Sequence, residues 1–279
     1  MNETLKRSIS GTIYVFLLIA CILYSTESFF ILFGIFLLIA VVEFCDLVQI
    51  NKIFSLLIAV TSYFLFYSTN FKQKFIFWSK PALIPTLSAL ALTILVAIKC
   101  ILFLFNNKSS LINSFSKYTY LIGYIILPFV FITKIPFGDN GYNPKIIIGI
   151  FILIWTNDTF AYIIGKSIGK RKLFERVSPN KTIEGFIGGV IFAIIASYII
   201  AKYYIEIKEA NTYIWIIIAI IISVFGTIGD LVESKFKRIA GVKDSGIIMP
   251  GHGGILDRLD SVIFVAPIVF LFYQILNYL

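Results

Sequence analysis

"TYIWIIIAIIISVFGTIGDLVESKFKR", residues 212–238, carries no charge in its first eighteen positions and five charges, Asp230, Glu233, Lys235, Lys237 and Arg238, in its last nine. A helix of about 20 apolar residues spans the hydrocarbon of a bilayer, so this stretch reads as a membrane span that leaves the lipid as a charged helix end. Similar apolar runs recur at about residues 11–26, 29–46, 53–70, 82–105, 118–134, 146–165, 182–202 and 260–278. With 212–230 they predict nine spans, with a kink around Gly123–Pro128. Hydrophobic residues make up 59% of the 279 and charged residues only 14%, and mean hydropathy is +0.93. A soluble domain needs about a quarter of its residues charged. The expected fold class is therefore an all-α, polytopic integral membrane helical bundle of about nine transmembrane helices.

The basic N-terminus "MNETLKRSIS" followed by an apolar run has a signal-peptide layout but no small-x-small cleavage site, and reads as an uncleaved first helix. Cys21, Cys45 and Cys100 sit in apolar segments without metal-like spacing and are expected to be packing residues. Most of the 24 Lys and Arg residues fall on one side if the N-terminus is inside. Basic residues are retained on the cytoplasmic side, so the loops 166–181 and 231–259 are expected to face the cytoplasm. Residues 1–145 read as N-terminal transmembrane helices, with Glu43, Asp46 and Lys99 as their notable charges. Residues 146–279 carry the recognisable chemistry. Gly165 and Gly169, and Gly185 and Gly189, are each four apart, a spacing that suits close helix packing.

If the eighth span stays helical past the membrane, Asp230, Glu233, Ser234, Lys237 and Arg238 form one stripe. An ionised Asp230 at the bilayer boundary needs either a basic partner or a cation. The following loop, "IAGVKDSGIIMPGHGG", is rich in glycine, which lets backbone N–H groups approach phosphate. Then comes "DRLDS", which puts Asp257, Asp260 and Ser261 on the first turn of the last helix beside Arg258. Helix-dipole capping accounts for one aspartate there. A Mg²⁺ site, built from one or two carboxylates plus substrate phosphates, accounts for more. His252, the single histidine, is either satisfied by nearby carbonyls or free to touch phosphate or nucleotide.

The third polar segment spans residues 157–189. Asp158 and Tyr162 are one turn apart, and the loop after them supplies Lys166, Lys170, Arg171, Lys172 and Arg176. Ser178 and Pro179 read as the N-cap and first residue of a new helix, with Lys181 and Glu184 on its first turns. A lysine at a helix start opposes the dipole unless an anion is present, so Lys181 points to phosphate binding.

The run "SKFKRIAGVKDSGIIMPGHGGILDRLDS", residues 234–261, resembles the C-terminal signature of phosphatidate cytidylyltransferases, also called CDP-diacylglycerol synthases. The resemblance rests on Ser234, Lys237, Arg238, Lys243, Asp244, Gly246, Pro250, His252, Gly253, Gly254, Asp257, Arg258 and Asp260. Asp158, Ala161, Tyr162, Gly165, Ser178, Pro179, Lys181, Thr182, Glu184 and Gly185 resemble an upstream block of the same family. Met249 stands where the signature usually has leucine, isoleucine or phenylalanine, and Asn180 where many members carry lysine.

The resemblance implies transfer of CMP from CTP to phosphatidic acid, giving CDP-diacylglycerol and pyrophosphate with Mg²⁺ and room for a second cation. It implies a multi-pass protein of the cell's inner membrane, with its active site facing the cytoplasm and the bilayer as partner. A homodimer is compatible with it, and nucleic acid has no part in it. The lipid phosphate is already an anionic nucleophile, so the barrier is phosphate–phosphate repulsion and catalysis is mostly positioning and charge neutralisation. On this reading Asp230 and Asp257 ligate metal with Asp260 third. Lys181, Lys237, Arg238 and Arg258 hold phosphates. Ser234, His252 and the 251–254 backbone, with Gly253 and Gly254, complete the cradle, and Lys243, Asp244, Asp158, Tyr162, Lys166 and Glu184 line the substrates. A CTP-dependent polyprenol kinase shares nucleotide, metal and membrane but needs a base for its alcohol acceptor. A transporter would need ionisable residues near midplane, for which only Glu43 and Lys99 offer themselves. The DG-x-x-AR run of CDP-alcohol phosphotransferases is absent.

Overall fold

The helices that follow Ser25, Asn113, Asn143 and Thr182 each start where that residue's side chain takes over an orphaned backbone N–H. The computed structural model describes residues 3–71, 80–106, 113–138, 141–206 and 211–278. Helix α1 (Glu3–Tyr24) turns into α2 (Thr26–Val48) at Ser25. The Ser25 hydroxyl accepts from Ser28 N and the Ser28 hydroxyl from Ser25 N, each at 3.1 Å, a reciprocal cap. Helices α3 (Lys52–Phe71) and α4 (Lys80–Phe105) follow. The next span runs through α5 (Ser114–Tyr120), a π-helical stretch over Leu121–Ile126, and α6 (Leu127–Lys134). The irregularity expected at Gly123–Pro128 is this π-stretch. Pro128 brings no N–H to the ladder, and Ser114–Lys134 remains one span through the π-stretch.

A short hairpin, β1 (Phe137–Gly138) and β2 (Gly141–Tyr142), leads to α7 (Pro144–Ile168), which starts with Asn143 as cap and proline at its first position. Strands β3 (Lys172–Phe174) and β4 (Ser178–Thr182) pair antiparallel, Lys172 opposite Thr182 and Phe174 opposite Ser178. Helix α8 (Ile183–Ile199) continues as a π-turn over Ile200–Tyr204; α9 (Thr212–Ala240) and α10 (Leu256–Tyr278) complete the bundle.

The all-α membrane bundle is as expected. Among the described residues, eight helices are long and apolar enough to cross a membrane, close to nine, and Lys52–Phe66 forms a shorter apolar helix. The start of α8 differs from the reading at Ser178 and Pro179. Residues 178–182 are spent on strand pairing, and Thr182 is the actual cap, its hydroxyl accepting from Gly185 N at 3.1 Å. Lys181 therefore lies on a strand, while Glu184 does lie on the first helical turn.

Two packing features set the site. Gly165, Gly185 and Gly189 bring α7 and α8 into backbone contact: a Cβ on Gly185 would lie 2.6 Å from the Ala161 carbonyl, and one on Gly189 2.8 Å from that of Asn157. Phe160 and Phe192 stack with centroids 3.7 Å apart beside them. At the centre, Phe236 of α9 is buried against Phe44, Phe103, Tyr120 and Tyr124, with centroids at 5.3, 5.0, 5.3 and 5.8 Å. That cluster fixes the part of α9 after Asp230 against α2, α4, α5 and the π-stretch. Its neighbour Lys235 is buried too, and its ammonium donates to the carbonyls of Phe103, Leu104 and Asn106 at the C-terminal end of α4. A cation there complements the helix dipole. Cys45 and Cys100 are buried and Cys21 partly so, as packing residues should be.

Candidate active site

The stripe predicted on α9 exists, because the helix runs unbroken to Ala240 before Gly241 ends it in left-handed conformation, φ +73°. Its charged residues divide between two clusters.

The first cluster is closed on itself. Lys237 Nζ lies 2.5 Å from Glu233 Oε2 and 2.6 Å from Asp257 Oδ1, with all three side chains nearly buried. The other Asp257 oxygen accepts three further hydrogen bonds, from Ser245 N at 2.8 Å, Ser245 Oγ at 2.9 Å and Gly254 N at 2.7 Å. Asp257 is thus satisfied by the chain's own donors, and Gly254 N is turned to that carboxylate. The glycine-rich loop is shaped around these bonds. Gly251 and Gly253 have φ of +80° and +86°, which favour glycine, and Met249 N donates to the Gly253 carbonyl at 2.9 Å.

The second cluster brings together Asp158 of α7, Asp230 of α9 and Asp260 of α10, all within electrostatic reach of Lys181 on β4. Lys181 forms an ion pair with Asp230, and Ser234 Oγ donates to the other Asp230 oxygen at 3.2 Å. The choice left open for Asp230, basic partner or cation, has a basic partner in this structure. Asp158 accepts from Asn157 Nδ2 at 3.2 Å and Asp260 from Ser261 N at 2.6 Å.

Between α1, α7 and α10 lies a cavity of about 200 Å³, lined among others by Tyr14, Asp158, His252, Asp257, Arg258 and Asp260. It shares Gly11, Val15 and His252 with a larger groove of about 600 Å³ along α1 that takes in Arg7, Phe16 and Ile19. His252 stands at the junction. Its Nδ1 is 2.8 Å from Ser10 Oγ, which also donates to the Pro250 carbonyl at 3.0 Å. Burial, then Arg258 and Arg7, hold the imidazole below the usual histidine range. His252 is thus partnered by a hydroxyl of α1 while it lines the cavity.

Other expected site residues lie apart. Tyr162 and Lys166 are exposed, with the ammonium 5.7 Å from the tyrosine ring. Arg238, Lys243 and Asp244 are exposed around the loop. Glu184 accepts from Lys170 N at 3.0 Å and Arg171 N at 3.1 Å, so it fastens the basic loop to α8. Sequence reasoning missed Glu43, Ser245 and Ser10 as members of the site's framework. Glu43 alone carried a signal, as an ionisable residue inside a span.

A hard cation such as Mg²⁺ is held by one or two carboxylates plus water and phosphate oxygens. Asp230 and Asp260 have the right donor chemistry, on facing helices. Asp257 would have to surrender existing hydrogen bonds. Among the described residues, no group of three or more His, Cys, Asp or Glu side chains is arranged as a ready-made metal cage.

Residues 5–276 match the profile of a family described as the Cytidylyltransferase family. The chain is 53% identical over 119 residues to a phosphatidate cytidylyltransferase of Staphylococcus haemolyticus. It is 52% identical over 121 residues to one of Staphylococcus saprophyticus, and 53% over 119 to one of Staphylococcus aureus. Each alignment covers 43% of this chain and 45% of the relative, so the chain spans about half the length of the curated relatives it matches.

Proposed function

The chain belongs to the cytidylyltransferase family, and on that premise we propose that it transfers CMP from CTP to phosphatidic acid at the cytoplasmic face of the inner membrane. A phosphate oxygen of phosphatidic acid attacks the α-phosphorus of CTP, the bond from that phosphorus to the bridging oxygen breaks, and pyrophosphate leaves with its electron pair. The nucleophile is already anionic and needs no base, in keeping with a site of carboxylates and cations.

The observation that carries this reading is the meeting of Asp158, Asp230, Asp260 and Lys181 beside a cavity that continues into a groove along α1. Lys181 and Arg258 are the proposed phosphate partners. On binding CTP, Lys181 would exchange Asp230 for a phosphate. Asp230 and Asp260 would hold Mg²⁺, with Asp158 beside them; the ion supplies positive charge for the oxygens of the leaving pyrophosphate. Asp257 and Lys237 are proposed to act by fixing the loop and first turn of α10, on which Arg258 and Asp260 stand. A cavity of about 200 Å³ suits phosphoryl groups, with the nucleoside outside it and the acyl chains along the groove past Gly11, Val15 and Phe16. Arg7 and Arg258 at the junction suit an anionic headgroup.

The test is purified protein in mixed micelles with phosphatidic acid, Mg²⁺ and CTP labelled in the α- or γ-phosphate. The reading expects α-label in lipid and γ-label in pyrophosphate. Transfer of γ-label to a lipid alcohol would replace it with the kinase.

A further inference from the structure

Glu43 is a carboxylate in the middle of an apolar sequence, "LLIAVVEFCDLV", residues 37–48, and its side chain is buried. A buried carboxylate is costly unless its lone pairs are engaged. Every partner of Glu43 lies more than 200 positions away. Its Oε1 accepts from Ile255 N at 3.0 Å, its Oε2 from Leu256 N at 2.8 Å, and Ser245 Oγ lies 3.1 Å from Oε2. Ile255 N and Leu256 N are unpaired amides at the start of α10, the end of a helix that favours negative charge. The Ser245 hydroxyl lies between two carboxylates, 3.1 Å from Glu43 Oε2 and 2.9 Å from Asp257 Oδ2, so its one proton is shared by them and the hydroxyl bridges Glu43 to Asp257.

The loop is built to admit this carboxylate. A Cβ on Gly246 or Gly254 would collide with the Glu43 carboxyl group. Neither glycine has positive φ, so close approach, and not backbone conformation, is what excludes a side chain there.

From this geometry we infer that Glu43 is a positioning residue: it clamps the 245–256 loop and the first turn of α10, and through Ser245 and that turn sets where Asp257, Arg258 and Asp260 stand against Asp230 and Lys181. Glu43 itself touches no reacting atom. The inference rests on the proposed cytidylyl transfer only for its kinetic readout. A misplacement of about 1 Å in such a constellation costs about a hundredfold in rate, and loss of a supporting hydrogen-bond partner commonly costs about 10- to 100-fold.

The experiment compares wild type, Glu43→Gln, Ser245→Ala, Gly246→Ala, Glu43→Asp and the Gly246→Ala/Glu43→Asp double variant. Glutamine keeps the shape but turns an NH₂ toward amide donors. Each variant is assayed for kcat and KM of CTP, with kcat normalised to the fraction that binds labelled CTP. Backbone hydrogen exchange is followed over 244–257. The inference expects Glu43→Gln to lower normalised kcat about 10- to 100-fold with KM for CTP nearly unchanged, and to lose protection at 255 and 256. It expects Glu43→Asp, which withdraws the carboxylate by one methylene, to relieve part of the Gly246→Ala defect. Wild-type normalised kcat and exchange in Glu43→Gln, or independent multiplication of the Gly246 and Glu43 effects, would overturn it. Should Glu43→Gln not fold, Ser245→Ala and the double variant decide by the same criteria. A wild-type protein that makes no CDP-lipid refutes the functional reading, while the exchange data still decide whether Glu43 holds the loop.

Discussion

Lys237 Nζ stands 2.6 Å from Asp257 Oδ1, and this ion pair, with Glu233 on its other side, ties the end of α9 to the start of α10. The pair makes Asp257 a joint between two helices as well as a neighbour of the cavity. Replacing Asp257 by Asn would leave Lys237 with Glu233 alone and turn an NH₂ toward the amides of Ser245 and Gly254. Breaking a buried pair costs about 3 kcal/mol, so Asp257→Asn is expected to melt well below wild type in detergent and to incorporate almost no CMP. Full activity with an unchanged melting temperature would remove Asp257 from both roles.

Lys181 gives the opposite pattern. Its pair with Asp230 is partly exposed, about 28% and 32% by side chain, and such pairs contribute no more than about 1 kcal/mol. A charge-assisted contact to phosphate is worth more, about 1.5–3 kcal/mol. Lys181→Met is therefore expected to keep its melting temperature while kcat/KM for CTP falls about 10- to 100-fold. A large stability loss with normal kinetics would mark it as structural.

Gly11 lies where the polar cavity meets the α1 groove, and a Cβ there would stand 3.3 Å from His252 Cε1. Gly11→Leu should narrow that junction without removing any charge. Steady-state assays in mixed micelles are expected to show KM for phosphatidic acid raised about tenfold and KM for CTP unaltered. Equal effects on both substrates would argue against the groove as the lipid's path.

Lys235 is close in sequence to the site but belongs to the scaffold. Lys235→Met would leave the buried Leu104 carbonyl at the end of α4 without the ammonium that now reaches it at 3.3 Å, while the Asn106 carbonyl would keep the Arg176 guanidinium at 2.8 Å. Unmet buried acceptors cost about 1–3 kcal/mol. Thermal unfolding should show that loss, while activity per folded molecule stays near wild type.

Much of the bundle was legible because a bilayer imposes a strict rule: long apolar runs must be helices, since no water is present to satisfy an open backbone. The close packing of α7 on α8 was legible from glycines four apart for the same kind of reason, local spacing on a helix. The start of α8 was misread because Ser-Pro is also compatible with a strand, and pairing of 178–182 with 172–174 is settled by partners that the local sequence does not name. On α9, Asp230 meets Ser234 and Glu233 meets Lys237 as their spacing predicts, whereas Asp257 and Asp260, also one turn apart, fall in different clusters.

Sequence by itself determined the membrane-spanning helical class, the stripe along α9 and the family signature around the last loop, because each is written in periodicity or in contiguous residues. Tertiary structure alone decided that the acidic residues form two clusters, that Lys181 faces Asp230 while Lys237 faces Asp257, that His252 leans on Ser10, and that Glu43 reaches across more than 200 positions to the start of α10. Which charges share a partner depends on how helices rotate and cross, and that is fixed by packing such as the rings around Phe236, not by any spacing along the chain.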